Sequence, residues 1–118
     1  MLRADSGPKY PRMTPEYLLV LCTCPDDASA AAIATALVQE RLAACVSRHG
    51  GLKSMYRWQG RIESSDEILL QIKSKTSLFA ELEAEIRRLH PYDTPEVIGI
   101  PVLTGCADYL EWIRSETR

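Results

Sequence analysis

The segment from His90 to Glu96, His-Pro-Tyr-Asp-Thr-Pro-Glu, constrains the fold more than any other part of this chain. Each of its two prolines fixes its own φ angle, lacks a backbone donor and disfavours a helical conformation in the residue before it. The segment is therefore predicted to be a stiff, extended connector that ends one helix and leads into a strand. It also holds an imidazole, a phenol and two carboxylates at fixed positions.

Size, charge and cysteine content narrow the class of protein. A chain of 118 residues is expected to form one domain that buries roughly two thirds of its unfolded surface. With a net charge of -2 and no basic run, the sequence does not indicate a nucleic-acid-binding protein. No apolar stretch approaches the roughly 20 residues that a membrane span needs. Four cysteines and no recognisable secretory signal favour reduced thiols and a cytoplasmic location.

The first half of the domain begins after a predicted N-terminal extension at residues 1–16. The continuous apolar run from Tyr17 to Thr23 is typical of a strand buried on both faces. Asp26 or Asp27 is expected to cap a following helix. Its apolar stripe, in which Arg41 also falls, comprises Ala30, Ile33, Ala34, Leu37, Val38 and Leu42.

A long antiparallel hairpin is predicted for residues 44–75. Its first strand is interrupted at Gly50-Gly51, where a bulge or bend is expected. Gln59-Gly60 is a plausible two-residue turn before the return strand begins. A further local irregularity is expected at Ser64-Ser65-Asp66.

The second half of the domain repeats the pattern of helix and strand. Thr76 or Ser77 is expected to cap a second helix, and Pro101 places the strand from Val97 to Thr104 at a sheet edge or a bulge. A terminal helix is predicted from Asp108 to Ser115. The inner face of the second helix comprises Leu78, Phe79, Leu82, Ile86 and Leu89. Residues 17–118 thus predict an α+β, ferredoxin-like β-α-β-β-α-β domain with an extra C-terminal helix.

Six segments, taken in order, resemble the CutA divalent-cation-tolerance proteins, and the resemblance covers essentially Tyr17 to Arg118. It implies a ferredoxin-like fold, a tight homotrimer in which long hairpins extend sheets across subunits, and a likeness to PII signalling proteins. It also implies a link to copper and other divalent cations. The segments are Leu21-Cys22-Thr23 with Pro25-Asp26, Arg41 to Val46, Ser54 to Gly60, Glu67 to Lys73, His90-Pro91-Tyr92 with Pro95-Glu96, and Tyr109 to Ile113.

The resemblance also supplies candidate metal ligands. In the resembling proteins, a cysteine matching Cys22 and a histidine matching His90 are associated with copper. Glu96 and Asp93 are weaker candidates. Some family members carry a second histidine where this chain has Leu89, so the resemblance implies an incomplete site of modest affinity.

Cys22 and Cys24 offer a second route to the same chemistry. Residues two apart on a strand can share a face, and two thiolates are good soft ligands for Cu(I) or zinc. The alternative is that both pack in the core as small hydrophobic side chains. No zinc-finger spacing of cysteines is present, so a closed structural zinc site is not expected.

Four aromatic residues are the candidates for an inter-subunit cleft or interface: Tyr56, Trp58, Tyr92 and Trp112. Packing between subunits is the favoured interpretation, and an aromatic ligand site is the alternative. No nucleophile elbow, phosphate-binding glycine loop or metalloprotease motif is present, so an enzyme is not expected. The leading hypothesis is a homotrimer that binds copper or another divalent cation and confers tolerance. The alternative is a trimeric, PII-like regulatory module that binds a small molecule or a partner protein.

Overall fold

The structure, a computed structural model, describes residues 15–118. Four strands form one antiparallel sheet in the order β2-β3-β1-β4, which confirms the predicted ferredoxin-like arrangement. The strands are β1 (Tyr17–Cys24), β2 (Cys45–Trp58), β3 (Arg61–Lys75) and β4 (Val97–Pro101). The helices are α1 (Asp27–Gln39), α2 (Phe79–Leu89), which follows a 3-10 turn at Thr76–Leu78, and α3 (Ala107–Glu116). Of the predicted extension, residues 1–14 lie outside the described residues.

The core lies between one face of the sheet and helices α1 and α2. Strand β1 is central and pairs with both β3 and β4, so every second side chain enters this core. The predicted helical stripes face the core except at Val38, which is 45% exposed, and except that Leu42, although buried, lies beyond the end of α1 with Arg41. The fully buried members of the core are Val20, Cys22, Cys24, Ala30, Ile33, Leu37, Ala43, Leu70, Ile72, Leu82 and Ile86.

The start of helix α1 agrees with the prediction from the sequence, but its end does not. Asp26 is the N-cap, as predicted, and its carboxylate accepts the Ser29 N–H at 2.8 Å. The prediction that Arg41 continues the helical stripe is wrong, because Arg41 has a φ of 57° and lies beyond the helix. The Leu42 N–H bonds back to the Leu37 carbonyl at 2.9 Å, so the left-handed residue closes the helix and returns Leu42 to the core.

The N-terminus of the second helix also differs from the prediction. No side chain caps it, and a 3-10 turn at Thr76–Leu78 precedes α2. The Thr76 hydroxyl donates instead to the Pro15 carbonyl oxygen. The hydroxyl expected to satisfy the helix therefore fastens the start of the described chain.

The hairpin of β2 and β3 extends well beyond the part of the sheet that β1 pairs with. Its register shifts between His49 and Leu52, which confirms the bulge, and Gln59 and Gly60 form the turn with φ angles of 49° and 79°. The irregularity expected at residues 64–66 is wrong, because these residues pair in regular register with residues 53–55. Strand β1 pairs with β3 only from Ile68 onward, so residues 52–67 form a two-stranded ribbon.

The C-terminal part closes the opposite edge of the sheet. Strand β4 is an edge strand and ends at Pro101, as the missing proline N–H requires, rather than at Thr104. Helix α3 buries Ile113 and half-buries Leu110. Within residues 15–118, none of the helices is long and apolar enough to cross a membrane.

Candidate metal centre and adjoining cleft

Three potential metal-ligating side chains converge at one end of the core. The Sγ atoms of Cys22 and Cys24 and a ring nitrogen of His90 all lie within 4.8 Å of one another. The two cysteines share the core-facing side of β1, and His90 follows the last residue of α2, where Pro91 prevents another helical turn. Both cysteines are fully buried and His90 is 7% exposed. The cluster is therefore formed by a strand and a helix end that meet inside the domain.

Both ring nitrogens of His90 already have partners. Nε2 lies 2.7 Å from the Thr23 carbonyl oxygen, and because a carbonyl only accepts, Nε2 must carry the proton. Nδ1 accepts the Tyr92 N–H at 3.1 Å. His90 is thus assigned as a neutral imidazole whose single ring lone pair is engaged by the backbone two residues later.

The buried thiols of Cys22 and Cys24 lie close enough to affect each other's ionisation. The neighbouring Cys24 thiol, together with burial and the nearby carboxylates of Glu96 and Glu67, raises the pKa of Cys22. The interaction with the Cys22 thiol lowers the pKa of Cys24, because it stabilises the Cys24 thiolate. One proton therefore leaves this pair far more readily than the second, since two buried thiolates would repel each other.

Two thiolates and an imidazole suit a soft or borderline ion such as Cu(I) or zinc. Three donor atoms around one such ion, each at about 2.0 to 2.3 Å from it, lie roughly 3.5 to 4 Å apart. The atoms of this cluster lie within 4.8 Å of one another, so the largest separation must shrink by roughly 1 Å for all three to bind one ion. The donor set of Cys22, Cys24 and His90 therefore fits one ion once the donor atoms move closer together and the hydrogen bonds of the His90 ring rearrange.

A cleft of about 880 Å³ lies next to this cluster, between the base of the ribbon and the loop after α2. Its lining includes three carboxylates and three large aromatic rings, and no lysine, arginine or histidine among residues 15–118 contributes to it. The lining residues are Thr23, Ser54, Met55, Tyr56, Trp58, Glu67, Pro91, Tyr92, Asp93, Thr94, Pro95 and Glu96. Thr23 and Tyr92, the two hydrogen-bond partners of the His90 ring, both belong to this wall.

Two phenols are anchored in the cleft. The Tyr92 hydroxyl donates to Glu67 Oε2 at 3.3 Å, and its ring lies 4.8 Å from the His90 ring, centroid to centroid. Burial and the neighbouring Glu67 carboxylate raise the pKa of Tyr92. Tyr56 shares a hydrogen bond of 2.7 Å with the Ser65 hydroxyl across the ribbon. Tyr92 thus connects the cleft to the metal-ligating cluster, whereas the Tyr56 hydroxyl bonds within the ribbon.

Cys22 and His90, the main ligand candidates from the sequence, are brought together. Glu96 and Asp93 are exposed, line the cleft and are not members of the three-residue cluster. Cys24 takes the third position. Its signal in the sequence was the two-residue spacing from Cys22 on a strand, which also fitted simple core packing.

The aromatic candidates divide into two places. Tyr56, Trp58 and Tyr92 line the cleft, as a shared site would require. Trp112 lies on α3, where its ring centroid is 5.6 Å from that of Tyr109.

Glu67, which accepts the Tyr92 hydrogen bond, is 91% buried, since its exposed fraction is 9%. In the sequence, Glu67 stood out as the first residue of a segment that resembles the CutA proteins.

The fold and the site together define a ferredoxin-like α+β domain with a buried thiol and imidazole cluster beside an acidic, aromatic cleft. The chain belongs to the CutA1 divalent ion tolerance protein family, whose profile matches residues 18–116. The family description and the names of several bacterial relatives refer to tolerance of divalent cations, and they name no catalytic activity.

Relatives and solved structures agree with this assignment. The divalent-cation tolerance protein CutA of Thermus thermophilus is 46% identical over 99 residues, which cover 84% of this chain and 96% of that protein. Human protein CutA is 41% identical over 114 residues, or 97% of this chain and 63% of that protein. The crystal structure of CutA from Xylella fastidiosa superposes with a TM-score of 0.86 at 45% identity, covering 87% of this chain and 99% of that one.

Proposed function

We propose that this protein binds a thiophilic metal ion, copper above all, through Cys22, Cys24 and His90, and that this binding underlies a role in cation tolerance. The convergence of three soft or borderline donor atoms within 4.8 Å carries the proposal. A bound ion would be sequestered from solvent, because both cysteines are fully buried. Membership of a divalent ion tolerance family supports the same role.

The protein's own residues determine how such an ion is held. The thiols must lose their protons when the ion binds, so metal binding releases protons. One of the two buried thiols gives up its proton more readily than the other. Leu89 packs against the core and leaves His90 without a neighbouring imidazole, which favours modest affinity. Because free thiols persist in reducing compartments, the proposal includes a cytoplasmic location, which fractionation of the source cells would test.

Competitive titration against chelators tests the metal proposal. Cu(I), Cu(II) and zinc would be titrated into the wild type, Cys22→Ser and His90→Ala, with folding of each variant checked by thermal unfolding. The proposal expects the wild type to bind at least one of these ions and both variants to bind it more weakly. Equal affinity for all three proteins would remove Cys22 and His90 from any metal site.

We further propose that the protein is a homotrimer. Among the described residues of one chain, no third strand lies beside the ribbon at residues 52–67, and unpaired strand edges tend to be covered by another chain. Large apolar side chains are exposed on this ribbon, including Met55 at 76%, Trp58 at 60% and Ile62 at 64%. Sedimentation analysis would contradict the trimer by finding a monomer mass at all concentrations.

The cleft supports a second candidate function, that of a PII-like regulatory module. Its three aromatic rings suit a flat or apolar ligand, and its three carboxylates without a basic residue favour a positively charged one. A thermal-shift screen of small metabolites that includes organic cations would test this role. A stabilising cation whose effect is lost in Glu67→Gln, in a protein that binds no metal, would favour this function over metal binding.

A further inference from the structure

We propose that Tyr92 competes with the metal ion for His90 and thereby sets the affinity of the metal centre. This inference rests on the proposed metal-binding function and concerns how that site is regulated. Its position in the cleft and its aromatic ring would suggest only ligand binding or packing for Tyr92, not control of metal affinity. Tyr92 acts through His90 and is a positioning residue rather than a ligand.

The competition follows from the protonation of the His90 ring. A neutral imidazole has one ring lone pair available for a hydrogen bond or a metal ion. In the structure Nδ1 uses that lone pair to accept the Tyr92 N–H at 3.1 Å, while Nε2–H donates to Thr23. A metal ion bound at Nδ1 would displace the Tyr92 N–H directly.

Binding at the other nitrogen has the same consequence. For Nε2 to bind a metal ion, its proton must leave, and in the neutral ring that proton then resides on Nδ1. Nδ1–H and the Tyr92 N–H would be two donors facing each other, so Tyr92 must again move. Either mode of coordination by neutral His90 therefore requires release of the Tyr92 backbone.

The release of Tyr92 is opposed by its other contacts. Its ring packs against His90 at 4.8 Å, and its hydroxyl bonds Glu67 at 3.3 Å on a different element of the fold. Interactions that exist only before the metal binds reduce the apparent affinity by the free energy they contribute. The contact with Glu67 thus holds His90 in the form that does not bind metal.

The same connection joins the metal centre to the cleft. A ligand that fixes Tyr92 in its place would weaken metal binding, and a metal ion would weaken that ligand to the same extent. The two candidate functions of the protein would then be antagonistic in one molecule.

Two matched tyrosine variants test the inference. Tyr92→Phe removes the hydroxyl that bonds Glu67 but keeps the backbone N–H, and Tyr56→Phe removes a hydroxyl of the same cleft that bonds Ser65. In competitive titration of Cu(I) under reducing, anaerobic conditions, Tyr92→Phe is expected to bind about fivefold more tightly than the wild type. That is the equivalent of one ordinary net hydrogen bond. Tyr56→Phe is expected to match the wild type.

Amide hydrogen exchange gives a second readout that a purely structural role would not change. Addition of Cu(I) to the wild type should accelerate exchange of the Tyr92 amide. The His90 amide, which bonds the Ile86 carbonyl at 2.8 Å, should stay protected and serves as the internal control.

The outcomes separate this inference from the proposed function. If His90→Ala weakens Cu(I) binding while Tyr92→Phe matches the wild type and Tyr92 exchange does not change, the competition is wrong and the metal site stands. If Cys22→Ser weakens binding but His90→Ala does not, the metal is held by the two thiolates without His90. That result would overturn the inference. If the wild type binds no Cu(I), the inference and the copper assignment fail together.

Discussion

The Tyr92 hydroxyl lies 3.3 Å from Glu67 Oε2 and ties the loop after α2 to the base of the ribbon. Tyr92 is followed by a second proline at position 95, and Glu67 lies one residue before β3 begins to pair with β1. Burial and the Glu67 carboxylate raise the pKa of Tyr92, so the phenol stays protonated and can donate at neutral pH. A contact between two distant parts of the chain therefore forms the wall shared by the cleft and the candidate metal centre.

The first prediction concerns Cys24 as the third ligand. Cys24→Ser should weaken Cu(I) binding by at least about tenfold, a loss typical even of outer-shell partners of metal sites. Cys106→Ser is the matched control, because Cys106 is exposed and lies outside the cluster. Chelator competition measures both variants, and a Cys24→Ser affinity equal to that of Cys106→Ser would limit the site to Cys22 and His90.

The second prediction concerns Trp58 at the end of β2. Its side chain is 60% exposed in one chain, so the proposed trimer should bury it against a neighbouring subunit. Trp58→Ala should then weaken assembly by roughly 2 kcal/mol or more, as for an interface hot spot. Val38→Ala, which shortens a half-exposed apolar side chain on α1, is the control. Sedimentation over a range of concentrations would refute this role if both variants assembled like the wild type.

The third prediction concerns the turn of the ribbon. Gly60 has a φ of 79°, a conformation that side chains with a Cβ rarely adopt, although no atom would clash with an added Cβ. Gly60→Ala should therefore lower the free energy of unfolding by about 1 kcal/mol through backbone strain alone. Gly50→Ala adds a methyl group in equally open space without a positive φ and should be nearly neutral. Urea unfolding at one protein concentration would contradict the strain argument by giving equal losses.

The fourth prediction concerns the pH dependence of stability through Asp26. Its hydrogen bonds from the Ser29 backbone and side chain lower the pKa of Asp26 below the ordinary value of 3.8. Because the folded-state pKa is depressed, this contribution to stability is present above pH 3.8 and is lost as the pH falls through the lower folded value.

Thermal unfolding of the wild type and Asp26→Ala at several pH values measures this contribution. The variant should be less stable near neutral pH, and the difference should shrink in acid. Asp27→Ala, one residue further along, is the control because Asp27 does not supply the cap. A stability difference for Asp26→Ala that stays constant down to strongly acidic pH would disprove the linkage.

The sequence by itself determined the order of the elements, the bulge at Gly50-Gly51 and the turn at Gln59-Gly60. It also determined the stop before Pro91 and limited Pro101 to a sheet edge or a bulge, of which the structure shows the edge. Each of these depends on side-chain periodicity or on the φ angle that glycine and proline allow, and both properties belong to a few adjacent residues.

Other features were decided by contacts that no local pattern encodes. Arg41 adopts a left-handed conformation because Leu42 must return to the core, and residues 64–66 stay regular because residues 53–55 pair with them. The Thr76 hydroxyl does not cap α2 but donates a hydrogen bond to the Pro15 carbonyl oxygen. In each case a partner distant in the chain overrode the local preference.

The candidate metal centre likewise combines features that the sequence indicated with features that only the fold decided. The resemblance to a known family singled out Cys22 and His90, and strand geometry allowed Cys24 to join them. Only the tertiary structure placed the His90 ring against Thr23, 67 residues earlier in the chain. It also showed that the remaining ring lone pair of His90 accepts a hydrogen bond from the Tyr92 N–H. Hydrogen bonds of a side chain depend on which backbone groups the fold brings within about 3 Å, and residue spacing alone does not specify them.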